Sequence, residues 1–408
     1  MKILLHGINF RPELTGIGKY TGELAGWLAE AGHEVRVVVA PPYYPQWRVA
    51  QGYANRWTVN REQGGKLTVY RSPLWVPSRP SGFKRVLHLA SFAVSSFPLM
   101  MRQVLWQPDA VLVVEPPLFC APQAWLTARL SGARAWLHVQ DFEVDAAFDL
   151  GLLRAGWLRH WILWFEGFWL RRFDRVSTIS GKMMGKLAGK GVAVDRAILF
   201  PNWVDPDEIY PMSQTSTFRE QLGLRPEQFV ALYSGNMGEK QGLEVVLETA
   251  AALQANAGIV FILCGDGAAK ARLQEKYDKM PNVIWLPLQP VERLNDLLNL
   301  ADVHLLPQRG DVADLVMPSR LLGMLASGRP VLATASAATQ VGEIVAQCGV
   351  LSPVGDPTAL AEALQKLAGD HELREKLGAA GRAIALKRFS KEEVLRQFER
   401  ELTEVLGA

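Results

Sequence analysis

The sequence predicts an α/β protein with two doubly wound domains, each built on a mostly parallel sheet. Its 408 residues exceed the size at which a single hydrophobic core usually keeps growing. Short β-rich runs alternate with helical patterns, which is typical of βαβ units. This alternation occurs twice, and a stretch rich in Pro, Ser, Thr and Asp over residues 205–226 separates the two series. We therefore expect two domains joined by a linker.

The first series begins at the amino terminus. Its strands are predicted from the runs KILLHGI, EVRVVVA, KLTVYR, AVLVVEP, RAWLHVQ, RVSTIS and ILFPN. Helical patterns near residues 15–31, 83–105 and 117–130 connect several of these runs. Because parallel strands need crossover connections, this order predicts a parallel sheet covered by helices. The first domain is predicted to span residues 1–203.

The second series begins afresh after the linker. Its predicted strands are FVALYSG, IVFILCG, VIWLPL, VHLLPQ and PVLATA. Helical patterns follow near residues 240–254, 268–279, 291–300 and 319–326. This domain is predicted to span residues 204–387, and an amphipathic helix over about 388–408 is expected to pack back on the first domain. Ligands of such sheets bind beyond the carboxyl ends of the strands, so two facing domains would share one cleft.

Composition excludes several classes of protein. An apolar fraction of 49% with 21% charged residues indicates a globular chain. The three cysteines, Cys120, Cys264 and Cys348, are widely separated and outside any CxxC pattern, so neither a disulfide framework, a zinc cluster nor any other metal site is predicted. The longest apolar tracts, 86–101 and 157–170, are shorter than the roughly 20 residues that a spanning helix needs. A cytoplasmic protein is expected.

Charge and tryptophan are distributed unevenly. Residues 1–200 hold 24 Lys or Arg against 14 Asp or Glu, a net charge of +10, whereas the remainder carries −7. Eleven of the thirteen tryptophans also lie in the first 200 residues. Aromatic side chains with basic neighbours are typical of a surface that rests in the headgroup region of a membrane. A Trp-rich core with a solvated basic face explains the same composition, and both interpretations stay open.

A glycine-rich segment, GINFRPELTGIGKYTGEL, follows the first predicted strand. Gly16, Gly18 and Gly22 open the next helix and would let a phosphate approach its backbone N–H groups. A dinucleotide fingerprint should begin directly after the strand, and here about eight residues intervene. The second strand also ends in VVVAPP, without the acid that binds ribose, so NAD and FAD are disfavoured. The alternative is that these glycines serve only turns and packing.

Polar residues follow the strand RAWLHVQ. His138 lies near its end, and Asp141 comes directly after it. An imidazole and a carboxylate there could bind sugar hydroxyls and stabilise positive charge on a transferring sugar. The alternative interpretation of His138 is a structural histidine with satisfied hydrogen bonds.

The second domain opens with YSGNMGEKQGLEVVLETA. This run places Gly235, Asn236, Gly238 and Lys240 between a strand and a helix. Free amides at a positive helix terminus, together with a cation, suit a diphosphate leaving group. The Walker pattern is absent. The alternative is a solvated lysine beside packing glycines.

Two further loops of the second domain have polar or glycine-rich sequences. CGDG, residues 264–267, is most simply a tight turn. In MPSRLLGMLASGRPV, Pro318 begins a helix, and Ser319 and Arg320 offer a hydroxyl, an amide and a guanidinium to phosphate. A helix cap with an exposed arginine is the alternative.

Taken together and in this order, these motifs resemble those of GT-B-fold glycosyltransferases of the family 4 type. The similarity covers GINFRPELTGIGKY, TISGKMM, PNWVD, SGNMGEKQGL, CGDG, MPSRLLGMLASGRPV and GVLSPVGDPTAL. It implies two facing Rossmann-like domains with a cleft between them and transfer of a sugar from a nucleotide-diphosphate donor. It also implies retention of anomeric configuration, with neither a metal nor a bound cofactor.

The same resemblance suggests roles for individual residues. Gly16 and Gly18 match the loop near the donor phosphates, His138 matches a histidine that contacts the donor sugar, and Lys240 matches a phosphate-binding lysine. Asn236 stands where the family usually has an arginine.

This sequence also differs from the family in lacking its pair of glutamates. The first glutamate position falls near Leu315, and the second falls on Gly323. Members with a PSK or PSR sequence use that sequence instead, which makes Ser319 and Arg320 the candidates.

Within the family, four runs resemble enzymes of colanic-acid-type exopolysaccharide assembly: GINFRPELTGIGKYTGELAGWLAEAGHEVRV, APPYYPQW, RVLHLASFAVSSFPLM and QDFEVDA. That similarity implies a GDP- or UDP-linked donor, with fucose as the suggested sugar. It implies a polyprenyl-diphosphate-linked sugar as the acceptor. We expect peripheral attachment to the inner membrane through residues 83–105 and 157–172, since each Lys or Arg near an anionic surface contributes roughly 1 kcal/mol. No nucleic-acid partner is predicted.

Two other functions also fit the sequence. One is a nucleotide-sugar epimerase, which the same architecture supports. The other is a degenerate nucleotide-binding or membrane-docking subunit of a polysaccharide assembly complex, since the glutamate pair is missing. A donor that is converted without acceptor would indicate the first, and a donor left unchanged with all acceptors would indicate the second.

Overall fold

The structure, a computed structural model, describes residues 1–13, 16–78, 81–142, 156–277, 279–309 and 318–407. The chain divides into two compact units. The first comprises Met1–Pro201 and Leu395–Ala408, and the second comprises Asn202–Val394. The unit boundary thus lies two residues before the domain boundary drawn from the sequence, and most of the last helix belongs to the first unit.

The first unit contains an eight-stranded sheet. Its strands are β1 Lys2–His6, β2 Glu34–Val39, β3 Thr58–Glu62, β4 Leu67–Arg71, β5 Ala110–Glu115, β6 Arg134–Val139, β7 Arg175–Thr178 and β8 Ala197–Leu199. They are ordered β3-β4-β2-β1-β5-β6-β7-β8. All neighbours pair in parallel except β3 and β4, which are antiparallel. The parallel sheet predicted for this part of the chain is confirmed, and the edge strand β3 was missed.

Burial explains which strand occupies which position in this sheet. Every residue of β5, sequence AVLVVE, is buried, as expected for a central strand covered on both faces. Strand β3, sequence TVNRE, is polar and largely exposed, which suits an edge. The alternation of helical and strand patterns predicts the central strands well, whereas the sequence of β3 carries no apolar signal.

Helices flank the first sheet. They are α1 Ile17–Glu30, α2 Gly82–Val104, α3 Ala121–Ser131, α4 Gly156–Leu170 and α5 Gly181–Gly189. Ser180 caps α5 by accepting a hydrogen bond from the Met183 N–H at 3.2 Å. The last helix, given below, also packs here, since the Phe398 ring stacks on Phe200 at 4.5 Å and lies 5.0 Å from Trp136.

The second unit contains a six-stranded parallel sheet. Its strands are β9 Phe229–Ser234, β10 Ile259–Cys264, β11 Val283–Leu286, β12 Val303–Pro307, β13 Val331–Thr334 and β14 Gly349–Ser352. Their order is β11-β10-β9-β12-β13-β14. Counted from β9, this is the 3-2-1-4-5-6 order of dinucleotide-binding sheets, whose ligands lie where the strand order reverses. That reversal falls between β9 and β12, which pair in parallel.

Nine helices are seen in the described part of the second unit and at its end. They are α6 Thr217–Gln221, α7 Leu243–Ala252, α8 Lys270–Tyr277, α9 Leu294–Asn299, α10 Arg320–Ala326, α11 Gln340–Cys348, α12 Pro357–Gly369, α13 His371–Arg388 and α14 Lys391–Leu406. The sequence placed a helix from about residue 240, but a 3₁₀ turn over Glu239–Gln241 precedes α7. Across the described ranges, none of the helices has both the length and the apolar character needed to span a bilayer.

Candidate functional site

The loop after β9 lies at the reversal of strand order in the second unit. It runs from Gly235 to Gly242 and contains the Asn236, Gly238 and Lys240 that the sequence singled out. The Gly238 N–H donates to Gln241 Oε1 at 3.1 Å, which closes the turn onto itself. This strand-loop-helix arrangement is the one that the sequence predicted for phosphate binding.

The CGDG segment packs directly on this loop. The Gly235 N–H donates to the Cys264 carbonyl at 2.9 Å, and the Met237 N–H donates to the Asp266 carbonyl at 2.7 Å. A Cβ placed on Gly265 would lie 1.9 Å from the Gly235 carbonyl oxygen, and Gly265 has a φ of +151°. Only glycine permits this approach. The sequence indicates a simple turn, but in the structure the CGDG segment packs against the loop after β9 and supports it.

Arg320, the first residue of α10, lies beside the same loop. Its Nη1 donates to the Tyr233 hydroxyl at 2.8 Å, and its Nη2 donates to the Pro307 carbonyl at 3.4 Å. A Cβ on Gly235 would be 3.4 Å from Nη1, so this glycine makes room for the guanidinium. Over the ranges that the structure describes, Arg320 forms no ion pair. The two acceptors that it contacts among the described residues are both neutral.

Tyr233 was not identified from the sequence. Its side chain is fully buried, and its hydroxyl donates to the Asn236 carbonyl at 2.5 Å. Burial raises the pKa of this hydroxyl, and Arg320 opposes the rise. The hydroxyl is thus protonated at neutral pH, so it can accept from Arg320 while it donates to Asn236. Its sequence signal was slight, because a tyrosine within an apolar strand looks like core.

Lys240 and Ser319 both lie on the surface of the second unit. Lys240 is exposed on the 3₁₀ turn and has no ion pair with any residue that the structure describes. Ser319 is also exposed, and its side chain makes no capping hydrogen bond to α10. The hydroxyl is therefore not used as a helix cap. Asn236 is exposed as well, so the polar groups that were predicted near the donor phosphates are reachable from solvent.

Arg309 is a second residue that the sequence analysis missed. It follows β12 by two residues, and its Cγ would lie 3.1 Å from a Cβ on Gly242. Arg309 and Arg320 thus lie at opposite ends of the loop from Gly235 to Gly242. A basic residue directly after the run VHLLPQ was the available signal.

The glycine-rich segment of the first unit is arranged differently. Gly16 is exposed with a φ of +63°, and nothing lies within 4 Å of a Cβ placed there. Gly18 is buried, and a Cβ on it would lie 2.6 Å from Glu13 Oε2. Glu13 Oε1 accepts from the N–H groups of Tyr43 and Tyr44, each at 3.0 Å. Burial raises the pKa of the Glu13 carboxyl, and these hydrogen bonds oppose the rise. Gly18 therefore makes room for a carboxylate of the protein itself.

His138 lies inside the first unit, with 3% of its surface exposed. Its Nδ1 lies 2.9 Å from Ser177 Oγ, and its Nε2 lies 2.9 Å from Gln140 Nε2. Because an amide nitrogen can only donate, Nε2 accepts and the neutral ring carries its proton on Nδ1. Burial lowers the pKa of His138 to about 3, although the bond to Ser177 raises it. Both ring nitrogens are thus occupied by protein, as the structural interpretation of His138 expects.

Asp141 follows β6 by two residues and is half-buried. Gln140, between His138 and Asp141, was overlooked in the sequence although its amide reaches the His138 ring. The structure thus brings the two predicted residues onto one short segment, with Gln140 joining them.

No group of three or more His, Cys, Asp or Glu side chains that could hold a metal ion occurs in the described ranges. Cys120, Cys264 and Cys348 are buried free thiols. Burial raises the pKa of the Cys264 thiol to about 11, so it is not a reactive thiolate at neutral pH.

Comparison with known proteins assigns the class. Residues 15–203 match the family described as "Glycosyl transferase 4-like domain", and residues 214–384 match "Glycosyl transferases group 1". Sucrose-phosphate synthase from Thermosynechococcus elongatus has the same fold, with a TM-score of 0.78 at 18% identity over 100% of this chain and 99% of that one. Anabaena HepE, solved with UDP and glucose, has a TM-score of 0.69 at 16% identity, covering 99% of this chain and 100% of that one. The fold is the GT-B fold of glycosyltransferases.

The chain belongs to the family 4 type of GT-B glycosyltransferases. It is 45% identical over 405 residues to a colanic acid biosynthesis glycosyl transferase, WcaI of Escherichia coli (strain K12), and the alignment covers 98% of each chain. The family resemblance found from the motifs is thereby confirmed, and the chain is a glycosyltransferase.

Proposed function

We propose that this glycosyltransferase moves a sugar from a nucleoside-diphosphate donor to a lipid-linked saccharide during assembly of a colanic-acid-like exopolysaccharide. The similarity to WcaI over 98% of both chains supports this pathway class. HepE, a protein of the same fold, was solved with UDP and glucose, which supports a nucleotide-sugar donor. UDP and GDP are both candidates for the donor nucleotide, and fucose is the candidate sugar.

The observation that carries the proposal is the guanidinium of Arg320 beside the glycine loop of the second unit, which has no ion pair with any described residue. A diphosphate leaving group gains negative charge as the glycosidic bond breaks, and preorganised donors near it lower the barrier. Arg320 faces only neutral acceptors, and Lys240 has no ion pair among the described residues. Ser319 adds a hydroxyl and Asn236 a side-chain amide next to these cations. Gly235 and Gly238, whose own N–H groups bond to Cys264 and Gln241, are proposed to let a phosphate approach the loop closely.

The contribution of the first unit is proposed to be orientation of the sugar. Asp141 is the candidate for contact with the sugar, and His138 acts by holding Gln140 next to it. The exposed Gly16 is the candidate for approach of a donor phosphate, since Gly18 is covered by Glu13. Because no obvious catalytic base stands out in the sequence, we propose that leaving-group stabilisation carries much of the rate, in a retaining reaction that needs neither metal nor bound cofactor.

A membrane-facing surface on the first unit would bring the lipid-linked acceptor within reach. Residues 63–108 include six Lys or Arg and no Asp or Glu. On α2, apolar side chains at the spacing of one helix face are exposed, with Phe83 at 73% and Val94 at 74%. Such a face with basic flanks suits the headgroup region of an anionic bilayer. We propose peripheral attachment at the cytoplasmic face of the inner membrane.

Helix α4 presents further exposed aromatic side chains that favour contact with a membrane. Trp161 and Trp164 are exposed and meet edge to face at 5.8 Å, and Arg172 lies 4.0 Å from the Phe168 ring centre. Aromatic rings with an arginine over them are typical of membrane interfaces, where one end of the side chain is apolar and the other is wet.

Donor binding is tested by thermal unfolding with millimolar GDP, UDP, ADP, CDP and NAD. A ligand at about 100 times its Kd adds roughly 2.7 kcal/mol of stability, so the true donor nucleotide should raise Tm clearly. Lys240→Ala should reduce that shift, whereas Lys366→Ala, an exposed lysine of α12, should not. No shift with any nucleotide, or a shift with NAD alone, would contradict the proposal.

Transfer itself is then followed with the identified donor. Release of nucleoside diphosphate should require a lipid-linked saccharide acceptor. Conversion of the donor without acceptor would favour the epimerase instead. An unchanged donor with a full set of acceptors would favour the non-catalytic subunit.

Membrane attachment is tested by sedimentation with vesicles of anionic and neutral phospholipid. Wild-type protein should bind anionic vesicles at low salt and release at high salt. Phe83→Glu with Val94→Glu should abolish binding, while Val194→Glu, which changes an equally exposed valine outside α2, should leave it intact. Protein that stays in the supernatant at low salt would refute the attachment.

A further inference from the structure

We propose that Tyr233 is a positioning residue of the donor site, whose hydroxyl holds the Arg320 guanidinium in place for the donor diphosphate. This inference rests on the proposed function, because it assigns a role within the same site. Tyr233 itself touches no ligand in this proposal and acts through Arg320.

The hydroxyl of Tyr233 joins two segments that are distant in sequence. It accepts from Arg320 Nη1 at 2.8 Å, and it donates to the Asn236 carbonyl at 2.5 Å. The ring also lies under the guanidinium, with its centre 5.1 Å from Arg320 Cζ. Because the tyrosine is fully buried within β9, its hydroxyl cannot move far. The guanidinium is therefore fixed relative to the loop that follows β9.

The described residues do not use all the hydrogen-bond donors of Arg320. A guanidinium carries five N–H donors in a planar fork, and within the described ranges Arg320 donates to two protein acceptors, Tyr233 and Pro307. Its Nε is buried without a hydrogen-bond partner. Both acceptors are neutral, so the positive charge is not balanced by them. A planar fork with free donors matches phosphate oxygens, provided that its orientation is held.

Tyr233→Phe removes this anchor with little change in volume. The ring still packs, but Arg320 loses one acceptor and can rotate away from the loop. Binding of a nucleoside diphosphate should weaken about tenfold, and kcat with the sugar donor should fall at least as much. Affinity for the free nucleoside, which has no phosphate, should stay unchanged, whereas a merely structural defect would weaken both ligands.

A double-mutant cycle shows whether Tyr233 acts through Arg320. Kd is measured for the nucleoside diphosphate that stabilises the wild type, using Tyr233→Phe, Arg320→Gln and the double variant. Arg320→Gln should weaken binding about 100-fold, and adding Tyr233→Phe should change nothing further. Tyr277→Phe, at a buried tyrosine of α8, is the matched control and should bind like the wild type.

The outcomes separate this inference from the proposed function. A wild type that binds no nucleoside diphosphate overturns the proposed function. Only the role of Tyr233 is overturned if the wild type binds and Tyr233→Phe binds equally well. The same holds if Tyr233→Phe weakens binding as much in the Arg320→Gln background as in the wild type. If Tyr233→Phe does not fold, Arg320→Lys tests the same point, because lysine keeps the charge without the oriented fork. Binding by Arg320→Lys at wild-type affinity would overturn the inference, and about tenfold weaker binding would support it.

Discussion

The two units differ in what their candidate residues already contact. In the first unit both nitrogens of His138 are hydrogen-bonded to protein, and Gly18 is covered by the Glu13 carboxylate. In the second unit Arg320 faces only neutral acceptors, and Lys240 has no ion pair within the described ranges. His138 and Glu13 thus serve the fold of the first unit, whereas Arg320 and Lys240 of the second unit are the groups proposed to bind a ligand.

This difference shows that local arrangement matters more than overall charge. Residues 201–408 carry a net charge of −7, yet the loop after β9 has two arginines and a lysine around it. Residues 1–200 carry +10, and their glycine segment holds a buried carboxylate. Net charge sets long-range attraction, whereas the nearest unpaired groups decide what binds. Five predictions test this difference between the two units.

The largest effect is expected for Gly265→Ala in the second unit. The added Cβ would lie 1.9 Å from the Gly235 carbonyl oxygen at a φ of +151°, so the two glycine loops must separate. We expect a loss of about 3 kcal/mol or more in the free energy of unfolding, with loss of nucleotide binding. Urea unfolding and a nucleotide titration would measure both, and an unchanged Tm would show that the loops are not interlocked.

In the first unit, a comparable loss is expected for Lys190→Met. Lys190 forms an ion pair with Glu166, whose side chain is fully buried. Removing the cation takes this ion pair away from a buried carboxylate, which costs about 3 kcal/mol. Arg272→Met in the second unit is the control, since Arg272 pairs with Glu239 and Glu244 at the surface and its loss should leave Tm unchanged. Equal losses of stability in Lys190→Met and Arg272→Met would contradict a greater contribution from the buried Lys190–Glu166 pair.

Activity should separate Arg320 from His138. Arg320→Gln should lower kcat/KM about 100-fold, equivalent to about 2.7 kcal/mol, because a donor to the leaving group is lost. His138→Gln should lower it less than tenfold, because neither ring nitrogen is available to the substrate. Initial rates with the identified donor would measure this, and the reverse order would place the chemistry in the first unit.

Acid should destabilise the protein through its buried histidines. Burial lowers the pKa of His6 to about 4 and that of His138 and His304 to about 3, below the usual 6.5. The unfolded chain then binds more protons, so stability is complete above about pH 6.5 and falls as the pH drops toward 4. Each histidine contributes about 1.4 kcal/mol per pH unit in that window.

The test compares the pH dependence of unfolding between variants. His138→Gln should reduce the slope of stability between pH 6.5 and 5 by about 1.4 kcal/mol per unit. His371→Gln, at an exposed histidine of α13, is the control for loss of a histidine outside the core. A wild-type stability that is flat over this range would contradict the neutral state of the buried rings.

The smallest effect is expected for Gly185→Ala, and it has the opposite sign. Gly185 is exposed within α5, and nothing lies within 4 Å of a Cβ placed there. Alanine should therefore stabilise the first unit by up to about 1 kcal/mol. Gly191→Ala is the contrasting variant, because its φ of +84° and the nearby Arg171 side chain oppose a Cβ. A rise in Tm for both Gly185→Ala and Gly191→Ala would show that the φ angle and the space around each glycine do not decide the effect.

Much of the fold and part of the site could be predicted from the sequence. Periodicity predicts the central strands, since a strand such as β5 is buried throughout and must be apolar. The loop after β9 could be predicted because its glycines and Lys240 are neighbours in sequence. The close contact between the backbones of Gly265 and Gly235 could not be predicted. The two residues are 30 positions apart, and local conformational preferences do not show which distant backbone segments will touch.

The sequence by itself determined two α/β units, the positions of their glycine loops and the family. These features depend on local patterns of polarity and on motifs that are contiguous in the chain. Only the tertiary structure decided that His138 is enclosed, and that Arg320 donates to the Tyr233 hydroxyl and has no ion pair among the described residues. Whether a polar group is available depends on what packs around it, and those neighbours come from distant parts of the chain.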